Sequence, residues 1–247
     1  MEVVDIKKKK NKQYTPLYTH PDIFQLNFAT TICGARGSGK SLLIRNLLLR
    51  DDMLKKVFKK PNYIVIICPS LSNGDYSEIE GKNVYKYDHY DPNIINHLIQ
   101  VQNNIIEKHS RKDANEILLI LDDVLDSGAL NHHSAVEKIY SRGRHVNINV
   151  ILVSQQLNRV SKTMRVNSDY MIFFQTHNYN ELENLMEQLI PKRYQWGFKE
   201  YIKLMWANNH YQFIMVDFKT KDHNRRFREG FSKLIILEEL PIKKNKI

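Results

Sequence analysis

No part of this chain constrains its fold more than Gly34-Ala35-Arg36-Gly37-Ser38-Gly39-Lys40-Ser41. The stretch follows an apolar run, Phe28-Ala29-Thr30-Thr31-Ile32-Cys33, and leads into Leu42-Leu43-Ile44-Arg45-Asn46-Leu47-Leu48-Leu49. Strand, glycine-rich turn, helix is the context in which a G-x-x-x-x-G-K-[ST] pattern binds a nucleoside triphosphate. Glycines at 34, 37 and 39 let the backbone bend tightly, so that successive N–H groups converge on an anion. The new helix points its positive end at the same place. Lys40 is expected to reach the β- and γ-phosphates, and the Ser41 hydroxyl to ligate Mg2+.

Ile117-Leu118-Leu119-Ile120-Leu121-Asp122-Asp123 is the second informative stretch. An apolar run ending in two carboxylates fits a central parallel strand whose tip emerges at the ligand edge of a sheet. It also fits a plain strand entering an acidic turn. Its place, after the phosphate turn with a strand and a helix between, favours a functional pair. Asp122 would then complete the metal shell, and Asp123 would orient or deprotonate the attacking water. Ile148-Asn149-Val150-Ile151-Leu152-Val153 is a further buried strand, ending in Ser154-Gln155-Gln156. Gln155 at that tip either senses the γ-phosphate and positions water, or closes a strand-end hydrogen bond.

Other runs fill in an α/β chain with a mainly parallel central sheet flanked by helices. Tyr63-Ile64-Val65-Ile66-Ile67-Cys68 reads as a strand buried on both faces. Residues 71–83 read as a surface loop and Val84–Tyr87 as an edge strand. A helix is expected from Asn93 to about His109, capped by Asp91 before Pro92, and another from about Ser134 to Ser141. The helix after the glycine-rich turn has leucines all round, which predicts burial against the sheet. Tyr170–Phe174 supplies a strand, residues 179–190 and 198–207 helices separated by Pro191, and Tyr211–Phe218 a last strand. Cys33 and Cys68 read as small core residues in a reducing compartment.

The chain's 247 residues suit one sizeable core. We expect a basic arm over 1–20 (Lys7-Lys8-Lys9-Lys10 and Lys12), an ATPase domain over 21–220 and a basic tail over 221–247. The arm could touch DNA or a capsid wall, or serve solubility alone. A formal charge of +10 suits nucleic acid first and an acidic membrane surface second, beside a merely solvated basic surface. No apolar run approaches the roughly 18–20 residues of a membrane span, and the N-terminus lacks a signal-peptide core.

With these motifs placed, the chain resembles the FtsK–HerA superfamily. More narrowly, it is similar to the virion DNA-packaging ATPases of poxviruses, other large DNA viruses and virophages. The resemblance spans roughly residues 24–175. It rests on Gly34–Ser41, Cys68-Pro69-Ser70, Asp122-Asp123, and Arg142-Gly143-Arg144-His145-Val146-Asn147-Ile148 running into Val153-Ser154-Gln155. It implies a RecA-like P-loop NTPase core with an extra strand between the Walker A glycine motif and the Walker B acidic motif. It also implies ATP and Mg2+ as cofactors, a homo-oligomeric ring around double-stranded DNA, and a capsid or portal partner. Carried over by position, Lys40 and Ser41 bind phosphates and Mg2+, Asp122 completes the metal shell, Asp123 is the base and Gln155 the sensor. Arg144, with Arg142 second, is the candidate for an arginine inserted into a neighbour's site. A surface arginine or a DNA-phosphate contact is the alternative. Asp123 stands where many superfamily members carry Glu, which sets the base one methylene back.

The function this implies is an ATP-dependent motor packaging viral DNA into a preformed capsid, a DNA-stimulated ATPase of the virion and host cytoplasm. One rival is an ATP-binding assembly protein that does not translocate DNA. The other is a small-molecule kinase, which would need an arginine-rich lid; residues 71–83 hold no arginine and only Lys82.

Overall fold

The computed structural model describes residues 3–5, 24, 26–49, 63–126, 132–176 and 178–242. The lysine run of the N-terminal arm, the basic patch at Lys55, Lys56, Lys59 and Lys60, and the C-terminal Lys243, Lys244 and Lys246 lie outside the described residues.

Among those described, ten strands form one sheet: β1 (Val3–Asp5), β2 (Ala29–Cys33), β3 (Tyr63–Ile67), β4 (Val84–Tyr87), β5 (Ile117–Asp122), β6 (Ile148–Ser154), β7 (Tyr170–Phe173), β8 (Ile214–Asp217), β9 (Phe227–Glu229) and β10 (Lys233–Ile235). Their order is β1-β10-β9-β8-β7-β2-β6-β5-β3-β4. Every pairing from β4 to β7 is parallel. From β7 to β1 every pairing is antiparallel. The parallel half is the core expected from the apolar runs: β2, β5, β6 and β7 are buried along their whole length. Strands covered on both faces read as continuous apolar sequence because neither face meets water.

The antiparallel half was less legible. The strand expected over Tyr211–Phe218 is shorter, Ile214–Asp217, and it is not the last. The sheet continues past residue 220 through β9 and β10, inside the stretch expected as a tail, and β1 within the expected arm pairs with β10. Arg228, one of the basic residues of that stretch, is fully buried, 4.0 Å from Asp217. It belongs to the interior rather than to a basic surface.

Helices cover both faces. α1 (Lys40–Leu49) buries Leu43, Ile44, Leu47 and Leu48 in a cluster with Ile32, Leu118, Ile120 and Val153. Leu42 and Leu49 are 52% and 48% exposed, so the leucines do not mean burial all round. On the opposite face lie α2 (Pro92–Lys108), α3 (His132–Arg142), α5 (Tyr179–Leu189) and α6 (Lys192–Asn208), with the short α4 (Lys162–Val166) joining β6 to β7. Asp91 caps α2 as expected, accepting a hydrogen bond from Asn93 N at 2.8 Å. α6 begins directly after Pro191, earlier than the expected 198, because proline suits the entry to a helix. Cys33 and Cys68 are buried free thiols.

Candidate nucleotide-binding site

Alternation along β5 sets up the site. Its odd residues, Ile117, Leu119 and Leu121, point to the α2–α3 face, while Leu118 and Ile120 point to the α1 face. A period of two therefore delivers Asp122 to the α1 side. There Asp122 Oδ2 lies 3.5 Å from Ser41 Oγ, in the first turn of α1. The chain reverses at once: Asp123 has φ 53°, a left-handed conformation that Asp tolerates better than branched residues do. Asp123 N donates to Val153 O at 3.2 Å, tying the turn to β6. Asp123 Oδ2 accepts from Gln155 Nε2 at 2.8 Å, and Oδ1 is buried with no protein hydrogen-bond partner.

β6 stands between β2 and β5, so the glycine-rich turn and the acidic pair are two strands apart and meet over the end of β6. The turn is moored on both flanks: Gly34 N donates to Ser154 O at 3.3 Å and Ala35 N to Gln175 O at 3.0 Å. Gly37 and Gly39 have φ of 76° and 103°, where any other residue would be strained. Gly34 is required for a different reason. A Cβ there would lie 2.5 Å from Phe174 Cβ and 2.8 Å from Ser38 Oγ. Lys40 Nζ donates to the carbonyls of Gly34 and Ala35 at 2.8 and 3.0 Å, which holds the ammonium on the turn itself. Burial lowers its pKa, opposed first by Asp123 and then by Asp122. Ser38 Oγ is buried without a protein partner, and Arg36 and Gly37 are exposed at the rim.

One member of the site was missed in the sequence. Tyr76 lies in the segment expected as a surface loop, yet it is fully buried, and its hydroxyl donates to Asp122 Oδ2 at 2.6 Å. Its backbone sits at φ 60°, and its carbonyl accepts from Lys86 Nζ at 2.7 Å. Burial raises the Asp122 carboxyl from 3.8 to about 6, with the Tyr76 hydrogen bond acting against it and the Asp123 charge with it. A lone aromatic among Asp75, Ser77 and Glu78 was the available signal, and one residue carries no periodicity.

Gly34–Ser41, Asp122, Asp123 and Gln155 are thus gathered at one sheet edge. Arg142 and Arg144 are not. They precede β6, exposed, at the end of that strand opposite to Gln155. Seven residues at about 3.3 Å each separate the two ends by about 20 Å. Neither arginine reaches the glycine-rich turn of its own chain.

The donor set suits Mg2+ bound together with phosphates: one hydroxyl and one carboxylate oxygen, both hard ligands, at the tip of the glycine-rich turn. No cluster of three or more His, Cys, Asp or Glu able to hold a metal by itself occurs among the described residues.

The family model described as Poxvirus A32 protein matches residues 17–228. Uncharacterized protein 015R of Frog virus 3 (isolate Goorha) is 27% identical over 180 residues, 72% of this chain and 53% of that protein. The chain spans about half the length of the curated relatives it matches. Among solved structures, B204, the DNA-packaging ATPase from Sulfolobus Turreted Icosahedral Virus, superposes with a TM-score of 0.60 at 19% identity, covering 84% of this chain and 98% of that one. The genome packaging NTPase B204 from Sulfolobus turreted icosahedral virus 2, in complex with ATP-gammaS, matches with a TM-score of 0.51 at 20% identity, over 82% of this chain and 96% of that one. These likenesses show the fold.

Proposed function

Because this chain belongs to the poxvirus A32 protein family, we propose that it is an ATP- and Mg2+-dependent motor that drives viral double-stranded DNA into a preformed capsid. The observation that carries the reading is the convergence at one sheet edge of two pairs. Ser41 and Asp122 lie 3.5 Å apart beside the glycine-rich turn, and Asp123 and Gln155 are joined at 2.8 Å.

In this reading the N–H groups of residues 37 and 39–41, together with the Lys40 ammonium, bind the phosphate chain, while those of Gly34, Ala35 and Ser38 are spent on holding the turn. Ser41 Oγ and Asp122 Oδ2 would hold Mg2+, which would supply positive charge beside the phosphates. Asp123 Oδ1, which has no protein partner, accepts a proton from the attacking water, while Gln155 fixes the other carboxylate oxygen. Catalysis is positioning and charge neutralisation, with little covalent work for the protein.

Arg144, or Arg142 beside it, reaches a phosphoryl group only on a neighbouring copy, which makes a homo-oligomeric ring part of the proposal. Contacts to DNA are to phosphates and indifferent to sequence, drawing on the net charge of +10. Assembly on a capsid or portal protein, in the virion and the host cytoplasm, completes the reading. No helix among the described residues is long and apolar enough to cross a membrane.

The test is ATP hydrolysis measured with and without linear duplex DNA, with Asp123→Asn as the control. Turnover that rises with DNA and vanishes in the variant is expected. Stoichiometric ATP binding without turnover, in either condition, would replace the motor by a nucleotide-gated assembly protein.

A further inference from the structure

The groups placed so far account for the phosphates and leave the nucleoside without a contact. The sheet order supplies a direction. Asp122, Asp123 and Gln155 stand at the ends of β5 and β6, on one side of β2, and β7 and β8 stand on the other. A nucleotide whose γ-phosphate is held at the acidic side extends its base away from it, toward β7 and β8.

An aromatic ring waits there. Tyr211, in the connection between α6 and β8, is 52% exposed. Its ring nevertheless lies beside the glycine-rich turn, in the space a side chain at residue 39 would need: a Cβ built on Gly39 would lie 3.2 Å from Tyr211 Cδ1 and 3.4 Å from Phe174 Cε1. A single exposed aromatic is ordinary on a protein surface. One packed against the glycine that precedes the phosphate-binding lysine is not placed at random. The connection is also fixed. Tyr211 N donates to Asn209 Oδ1 at 3.0 Å and Gln212 N to Asn209 O at 3.0 Å. Trp206 Nε1, on α6, donates to Gln212 O at 2.9 Å. The His210 ring lies 3.9 Å from that of Tyr211, tilted by 43°. These hydrogen bonds fix the backbone on both sides of Tyr211, and an aromatic ring carried at a fixed place is what a flat ligand stacks on.

We infer that Tyr211 is the base-stacking residue of this site, receiving the planar base of a nucleoside triphosphate whose phosphates occupy Gly34–Ser41. The inference rests on the triphosphate reading of that turn. Stacking uses the π-face that all bases share, so Tyr211 supplies affinity for a base and little choice among bases.

Calorimetric titration of the full chain with two ligands, Mg·ATP and magnesium tripolyphosphate, tests this. Stacking of one base predicts that Tyr211→Ala weakens ATP by about tenfold or more and leaves tripolyphosphate unchanged. Tyr211→Trp retains ATP binding, and the emission difference between it and wild type responds to ATP but not to tripolyphosphate. Equal losses for both ligands, or no loss for ATP, would overturn the assignment while leaving the phosphate site standing. A wild-type chain that binds neither ligand would overturn both.

Discussion

Replacing Asp122 by asparagine should stabilise the nucleotide-free protein while abolishing its Mg2+-dependent turnover. The side chain is 4% exposed, and burial raises its carboxyl from 3.8 to about 6. That rise corresponds to about 3 kcal/mol against the ionised form in the folded state. The folded pKa lies above the unfolded one. The carboxyl therefore contributes its full stability below about pH 3.8 and loses it as the pH climbs through 6. Above that the burial penalty is complete. Asparagine does not titrate, and its carbonyl can still accept from Tyr76, although its amide needs a new partner. A net gain of about 2 kcal/mol is expected near pH 7.5, or about 4–8 °C in Tm for a chain of this size. The assay is thermal unfolding with a chelator present, at pH 7.5 and near pH 4, for wild type and Asp122→Asn. The gap should close at the lower pH. A variant that melts no higher than wild type at pH 7.5, or a gap that persists near pH 4, would refute the account of a buried, penalised carboxylate.

Tyr76→Phe should act in the opposite sense. Losing a hydroxyl donor to a buried carboxylate costs about 1.5–3 kcal/mol, so Tm falls at pH 7.5, and half-saturation of ATP binding needs more Mg2+ in a metal titration. Gly34→Ala sets a methyl 2.5 Å from Phe174 Cβ; overpacking of that kind costs about 1–3 kcal/mol, and a melting curve within a degree of wild type would contradict the close approach of turn and β7. An arginine acting on a neighbour is worth about 10³–10⁵ in kcat. Arg144→Ala and Asp123→Asn chains, each inactive alone, should therefore recover part of the turnover when mixed, and no recovery would assign Arg144 to the surface or to DNA.

The parallel half of the sheet, and the residues it gathers at the candidate site, were readable because each rests on local pattern. Ile148–Val153 and Ile117–Leu121 are uninterrupted apolar runs, and the strand–turn–helix order around Gly34–Ser41 puts backbone chemistry into sequence spacing. The antiparallel half was obscured for the opposite reason. β9 and β10 are three residues each, and β9 carries Arg228 and Glu229, so composition spoke for a tail. What makes Arg228 an interior residue is the neighbouring strand carrying Asp217, which lies beside it only after folding. Tyr76 was hidden in the same way. Its partner is 46 residues away, at the end of β5, with a strand and a helix between. That Arg142 and Arg144 occupy the end of β6 opposite to Gln155 was, by contrast, legible in the sequence order, since the strand lies between them.

β6 is hydrogen-bonded in register to β2 on one side and to β5 on the other along nearly its whole length. A member clamped so cannot bend on its own; it translates or tilts only with both of its neighbours. With Gln155 just past one tip and Arg142–Arg144 before the other, it has the mechanical character of a push-rod. A displacement of the glutamine end by a fraction of an ångström therefore carries to the start of the strand at Ile148, where the turn bearing Arg144 is attached. If adjoining subunits lie against that far end, they are linked by a stiff bar rather than by a flexible loop.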